Sequence, residues 1–246
     1  MDTIEADWPA PGNVRAVATT RRGGVSPAPY DSLNLGAYTR DDPAHVTENR
    51  QRVVTQLGLP EMPRWLSQVH GREVVAASDV ARDATKADAQ WTAQPGTVLA
   101  VLTADCLPVV IVDASGAEVA AAHAGWRGLA SGVLAATVAT FRRPASQLMA
   151  WLGPAIGPAD YEVDATVRDA FTAVDAGSAS AFEPSRHGRW QCDLYALARQ
   201  RLAAAGVSAV YGGGWSTAEE PQRFFSHRRE GATGRMACLI WRTQLG

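Results

Sequence analysis

Cysteine is scarce in this chain and poorly placed for cross-linking. Its 246 residues hold three cysteines, Cys106, Cys192 and Cys238. They are far apart, odd in number, and no C-x-x-C occurs. That excludes a disulfide framework and a structural zinc ribbon, and it fits a reducing cytosol. A chain of this length buries about 70% of its unfolded surface, so it needs no staples. Excess charge is also missing: the formal net charge is -2, so no polyanion is held by bulk electrostatics and no nucleic-acid partner is expected. Long hydrophobic runs are absent too. The longest apolar stretch, Val98 to Val112, is interrupted by Asp105, and no membrane span or membrane partner is expected. Met1 to Pro11 is acidic and lacks an apolar h-region, so no secretory signal is expected. There is no repeat, low-complexity segment or obvious linker. The expectation is a cytoplasmic protein with one domain over 1–246, a monomer or weak homo-oligomer.

What is present alternates strands and helices only in part. Val14 to Thr20 reads as a strand, followed by the Arg21-Arg22-Gly23-Gly24 turn. Asp42-Pro43 starts a helix, because Asp42 can cap and proline suits the first helical position. Val46, Val53, Val54 and Leu57 share one face of it, and Gly58 ends it. Arg64 to Val69, Glu73 to Ala77, Thr97 to Leu102, Pro108 to Val112 and Glu118 to Ala122 read as strands. Leu129 to Phe141 reads as a helix closing on Arg142-Arg143, which suits the negative end of its dipole. Asp164 and Asp193 cap two more helices, the second ending near Gly206, and strands follow at Val207 to Tyr211 and Arg235 to Arg242. Several strands adjoin with no helix between them. The fold class is therefore mixed α+β with covered sheets rather than a simple parallel sheet.

Three segments end apolar runs with a soft or borderline metal ligand: Gln68-Val69-His70-Gly71, Thr103-Ala104-Asp105-Cys106 and Ala122-His123-Ala124-Gly125. One thiolate and two neutral imidazoles are three protein ligands, the number that usually holds a catalytic zinc while leaving a position open. Each stands where a strand gives way to a loop, and glycines near two of them allow close approach. Asp105 is placed to orient a neighbouring group. Just beyond His123, Gly125-Trp126-Arg127-Gly128 runs into a helix. Free N–H groups there, with the Arg127 fork, suit an anion such as phosphate. The Walker A spacing is absent.

In sequence the chain resembles the YfiH-like family, also called laccase-domain or multicopper polyphenol oxidase proteins, whose members have been described as zinc-dependent purine nucleoside phosphorylases. The similarity covers nearly the whole chain. It rests on Thr20-Arg21-Arg22-Gly23-Gly24-Val25-Ser26, Pro29-Tyr30-Asp31-Ser32-Leu33-Asn34-Leu35-Gly36, Gln68-Val69-His70-Gly71 and Thr103-Ala104-Asp105-Cys106-Leu107-Pro108. It continues in His123-Ala124-Gly125-Trp126-Arg127-Gly128, Gly153-Pro154-Ala155-Ile156-Gly157 and Phe224-Phe225-Ser226-His227-Arg228-Arg229. Two departures stand out. Gly213-Gly214-Trp215-Ser216-Thr217 lacks a cysteine that relatives often carry, and Ala37-Tyr38-Thr39-Arg40 replaces the commoner His-Val-Gly-Asp.

The resemblance implies zinc on His70, Cys106 and His123, which would be both metal ligands and catalytic centre, in an α/β/β/α-like layered fold. It implies purine nucleosides and phosphate as partners: phosphorolysis of adenosine, inosine, guanosine and methylthioadenosine, with deamination of adenosine. Against that chemistry, Arg22 and Arg127 are expected on phosphate, Asn34 on base or ribose, Trp126 or Phe225 stacked on a purine, and His227 as proton donor. The rival classes are a copper-dependent polyphenol oxidase with copper as the metal, a metal-free Cys–His hydrolase or amidase acting on a cell-wall precursor, and a binding protein. Five histidines are too few for a multicopper centre, and Met1, Met62, Met149 and Met236 show no local pairing with the ligands. Cys192 and Cys238 read as structural, and His45 with Glu48 as a solvated helix face.

Overall fold

Period-two alternation in five strands builds the centre of the molecule, described here by a computed structural model over residues 1–81 and 83–244. A four-stranded sheet has the order β1 (Thr3–Glu5), β2 (Val14–Thr19), β13 (Met236–Arg242), β5 (Val98–Thr103). A six-stranded sheet has the order β12 (Ala209–Gly212), β8 (Leu148–Leu152), β6 (Leu107–Asp113), β7 (Val119–Ala124), β4 (Ala89–Thr92), β3 (Val74–Ala76). A small third sheet orders β10 (Phe182–Pro184), β11 (Trp190–Cys192) and β9 (Glu162–Val163).

Ala16 and Ala18 of β2, Leu99 and Val101 of β5, and Cys238 and Ile240 of β13 meet Val110, Val112, Val119 and Ala121 between the two large sheets. Their neighbours Val17, Val98, Ala100, Leu239 and Trp241 face the other way, onto α1 (Pro43–Leu57) through Val53. Val109, Ile111, Ala120 and Ala122 turn to the opposite outer layer. That layer is built from α2 (Trp126–Ser131), α3 (Val133–Val138), α4 (Ala165–Thr172) and α5 (Leu194–Ala204). Successive strand residues point to opposite faces, so each strand serves two cores at once. The result is the expected α+β arrangement, helix, sheet, sheet, helix. Each large apolar side chain buried this way contributes about 1.5–3 kcal/mol. No helix among the described residues is long and apolar enough to cross a membrane.

Helix α1 forms as its sequence dictates: Asp42 accepts from the Ala44 N–H, and Gly58 closes it at φ 59°. Asp164 and Asp193 cap α4 and α5. Three elements differ from expectation. Arg64 to Val69 is not a strand but an irregular segment with isolated bridges from Arg64 to Leu99 and from Ser67 to Lys86. The Gln68 amide stands in for ladder bonds there, donating to the Leu102 carbonyl at 2.8 Å and accepting its N–H at 2.7 Å. The helix read at Leu129 to Phe141 begins earlier, at Trp126, and breaks at Gly132. With φ 94° that residue ends α2 and opens α3, a conformation costly for residues with a Cβ. The strand read at Glu118 to Ala122 runs on to Ala124, so His123 is a strand residue paired with Pro108 rather than a loop residue.

Candidate functional site

Cys106 occupies the tight turn between β5 and β6. The preceding Asp105 has φ 90°, and three bonds hold it there. The Thr217 hydroxyl donates to Oδ1 at 2.6 Å, the Arg228 N–H donates to Oδ2 at 2.7 Å, and the Ile156 N–H donates to its carbonyl at 2.9 Å. Asp105 therefore pins the Cys106 turn to α6 (His227–Glu230), which follows Ser226. It has no hydrogen bond to His70 or His123, and the group it orients is the Cys106 turn.

Asp88, on which sequence reasoning was silent, fills that role instead. It is fully buried just before β4. Its carboxylate accepts the backbone N–H groups of Val69, His70 and Gly71 at 3.2, 2.9 and 2.7 Å. The same carboxylate accepts His123 Nδ1–H at 2.8 Å. One side chain thus shapes the His70 loop and fixes the His123 tautomer, leaving His123 Nε2 free. His70 itself holds φ 60°.

The three expected donors converge. Cys106 Sγ is 3.9 Å from His70 Nε2, and the His70 and His123 rings meet edge to face at 4.8 Å between centroids. The donor atoms of His70, Cys106 and His123 all lie within 4.8 Å of one another. A tetrahedral ion with bonds of about 2.3 Å to sulfur and about 2.0 Å to nitrogen sets its donors about 3.5 Å apart, so a small closure seats one ion. Gly125 supplies the room. A Cβ there would stand 2.9 Å from Cys106 Sγ, 3.1 Å from His70 Cδ2 and 3.5 Å from His123 Cε1. The donor set and this cradle fit a zinc-class or copper-class ion.

Without a metal, the electrostatics describe a thiolate–imidazolium pair. Burial by itself favours a neutral thiol at Cys106, but the charge of His123 and hydrogen bonds from both histidines outweigh it and hold the thiol well below its usual range. Burial disfavours His123 imidazolium, yet Cys106 and Asp88 together raise its pKa. Asp88 is held below the ordinary carboxylate range because the His123 bond and the loop N–H groups overcome its burial. Cys192 and Cys238 go the other way, pushed up by burial to about 12, as structural thiols.

His70, Cys106 and His123 open on a cavity of about 490 Å³, of a size that holds a small organic ligand. Trp126, Arg127 and His227 line it. Arg22 does not. Its Nε donates to the Gln222 carbonyl at 2.6 Å, and it borders a separate depression with Arg21 and Asp31. Asn34 is buried and fully used: Nδ2 donates to Thr39 Oγ1 and Asp41 Oδ2, and Oδ1 accepts from the Gly36 and Arg235 N–H groups. Phe225 is fully buried under the Arg21 guanidinium, 4.6 Å from its ring. None of Arg22, Asn34 and Phe225 lines the cavity.

Two arginines take their place. Arg228 Nη1 donates to the Asp160 and Glu162 carbonyls, and Arg235 Nη1 to those of Thr233 and Gly234. Arg127, Arg228 and Arg235 all line the cavity, and none forms a carboxylate ion pair among the described residues. The lining carboxylate, Asp105, is already bonded through both oxygens. The cavity is thus electropositive around its donor triad.

A helix-flanked double sheet carrying one thiol and two imidazoles that could together hold a metal ion, beside arginines without carboxylate partners, defines a class of α+β proteins. Residues 15–243 match the family described as multi-copper polyphenol oxidoreductase laccase, and the chain belongs to that family, which includes the YfiH proteins. A Pseudomonas aeruginosa protein named purine nucleoside phosphorylase is 56% identical over 239 residues, covering 97% of each chain. The purine nucleoside phosphorylase YfiH of Escherichia coli K12 is 52% identical, covering 97% of this chain and 98% of its own. Among solved structures, Neisseria meningitidis protein NMB0706 superposes with a TM-score of 0.96 at 48% identity, covering 99% of this chain and 100% of that one. YlmD from Geobacillus stearothermophilus gives 0.86 at 34%, covering 95% and 93%.

Proposed function

We propose that this chain is a zinc-dependent purine nucleoside phosphorylase that takes adenosine, inosine, guanosine and methylthioadenosine and also deaminates adenosine. The observation that carries the reading is the convergence of His70, Cys106 and His123 over Gly125, at a cavity lined by three arginines without carboxylate partners. The names of relatives matched along nearly their whole length support it. The multicopper label fits the residues less well. Of the five histidines, His45 and His187 lie outside the cavity, and the described residues contain no second cluster of metal-binding groups.

Phosphorolysis needs the phosphate held against C1′ of the ribose. Phosphate oxygen forms the new C1′–O bond while the C1′–N9 bond breaks and its electron pair leaves on the purine. Arg127, Arg228 and Arg235 supply the guanidinium donors for phosphate. The departing base needs a proton, and His227 lines the same cavity. Its Nδ1–H is held on the Gly231 carbonyl at 2.6 Å, leaving Nε2 free to carry and deliver one. Zinc bound by the three donors supplies Lewis acidity. Asp88 keeps His70 and His123 aimed. Deamination of adenosine would instead need water to attack C6 of the purine, forming the C6–O bond while the C6–N bond breaks and ammonia leaves, to give inosine.

Incubation of the zinc-loaded protein with inosine and phosphate should release hypoxanthine and ribose 1-phosphate. No free purine base from any of the four nucleosides would overturn the reading. The Asp88–His123–Cys106 alignment also favours a second reading, a metal-free Cys–His hydrolase of a cell-wall precursor amide, with Cys106 as nucleophile. Chelation separates the two: it would abolish phosphorolysis and leave such a hydrolase active.

A further inference from the structure

Of the tryptophan and tyrosine rings lining the cavity, all but one carry an arginine. The Trp126 ring carries the Arg127 guanidinium 4.3 Å from its centroid, the Tyr161 ring carries Arg228 at 5.2 Å, and His70 and His123 face each other. Tyr38 lines the same cavity and has no stacking or cation–π partner among the described residues. It is 66% exposed, an unusual exposure for an aromatic side chain in this protein.

The ring is also held in place. Tyr38 sits in a strap over residues 36–41. At one end Gly36 packs so closely on Arg235 that a Cβ would stand 2.7 Å from its Cγ. At the other end the Asp41 carboxylate accepts from Ser26 Oγ at 2.6 Å and Asn34 Nδ2 at 2.9 Å. In between, Thr39 Oγ1 accepts from Asn34 Nδ2 and donates to the Gly36 carbonyl. The Tyr38 hydroxyl donates across the strap to the Asp83 carbonyl. An open aromatic face whose rotamer is already tethered loses little entropy when a planar ligand stacks on it.

We propose that Tyr38 is the stacking face for the planar base of the substrate, and so a specificity-determining residue of this cavity. The inference rests on the nucleoside reading above and adds what that reading left open. The arginines suit the anion, the thiolate–imidazole set suits the metal and His227 is the proton donor of that reading, so the heteroaromatic ring takes the free tyrosine face.

The test uses the zinc-loaded full chain, Tyr38→Ala and Tyr38→Phe. Initial rates are measured against inosine and against phosphate, and hypoxanthine binding is measured by equilibrium dialysis. Stacking on one base is worth about tenfold in affinity. Tyr38→Ala should therefore raise KM for inosine and Kd for hypoxanthine about tenfold. KM for phosphate and kcat should stay within about twofold, since the contact is made equally before and during reaction. Tyr38→Phe should remain within about threefold of the parent. Unchanged inosine KM and hypoxanthine Kd in Tyr38→Ala would overturn the proposal while parent turnover leaves the nucleoside reading standing. Equal losses in the Phe and Ala variants would overturn it in favour of the hydroxyl tether. A parent that neither cleaves inosine nor binds hypoxanthine would overturn both.

Discussion

Asp88 and His123 are joined twice: the His123 backbone N–H donates to the Asp88 carbonyl at 2.7 Å, and its ring Nδ1–H donates to the Asp88 carboxylate at 2.8 Å. The first bond fixes where the β7 residue stands relative to β4. The second fixes which ring nitrogen is left for a metal. The same carboxylate gathers three N–H groups of the His70 loop, so two of the three donors answer to one buried side chain.

Asp88→Asn should therefore damage metal binding more than folding. The amide keeps one acceptor oxygen but presents an NH₂ group to donors it cannot accept from. Removing such an outer partner costs about 10–100-fold in metal affinity. Competition against a zinc chelator should show that loss. The thermal midpoint should fall by an amount corresponding to about 1–3 kcal/mol, from the buried N–H groups left unpaired. Unaltered zinc affinity would remove Asp88 from the ligand scaffold.

Gly125→Ala tests the cradle by volume alone. The added methyl would sit 2.9 Å from Cys106 Sγ and 3.1 Å from His70 Cδ2, below contact distance, and it brings no charge or hydrogen bond. The φ of Gly125 is −62°, so alanine meets no backbone strain there. The purified variant should carry well under one zinc per chain, by elemental analysis, with a cooperative thermal transition retained.

The thiols should differ sharply once metal is stripped. Cys106 is held low by its imidazole neighbours, whereas Cys192 and Cys238 are pushed to about 12 and are buried. A lowered thiol pKa means that thiolate prevails at neutral pH and is lost only as pH falls through that lowered value. Iodoacetamide at pH 7 should alkylate Cys106 alone, as read by peptide mass spectrometry. Acidification should slow the reaction, and added zinc should block it. Modification of Cys238 at a similar rate would contradict the burial argument.

The distance over which a residue finds its partners separates what could be read from the chain and what could not. The α1 boundaries were legible because Asp42, Pro43 and Gly58 act within a few residues of themselves. His70, Cys106 and His123 stood out as soft-ligand residue types ending apolar runs, although only Cys106 follows a regular strand: no strand leads into His70, and His123 lies inside β7. Asp88 was not, since Lys86-Ala87-Asp88-Ala89 looks like any polar step before a strand, and its partners lie 17 to 35 residues away. Asn34 misled for the same reason: its amide looks free in sequence and is spent on Arg235, 201 residues on. Arg22 and Arg235 exchanged importance because only the folded chain brings the start of β13 beside the β5–β6 turn. The strand expected at Arg64 to Val69 failed because a side chain, Gln68, makes the ladder bonds that backbone pairing was expected to make.

Arg235→Ala and Arg127→Ala ask whether the cavity arginines serve phosphate. Arg235 has its Nη1 on two backbone carbonyls and contacts Gly36 through its stem, so its head is positioned before any ligand arrives. Burial lowers its pKa, yet a guanidinium stays charged at neutral pH and remains an anion donor. Arg127 is exposed and is held mainly by its stack on Trp126. A charged hydrogen bond to phosphate is worth about 1.5–3 kcal/mol. Arg235→Ala should therefore raise KM for phosphate at least tenfold in inosine cleavage, and the looser Arg127→Ala by less. Adenosine deamination uses no phosphate and serves as the internal control, with its rate expected to stay within about threefold of the parent in both variants. Equal losses in cleavage and deamination would mean that these side chains maintain the shape of the cavity instead of binding the anion.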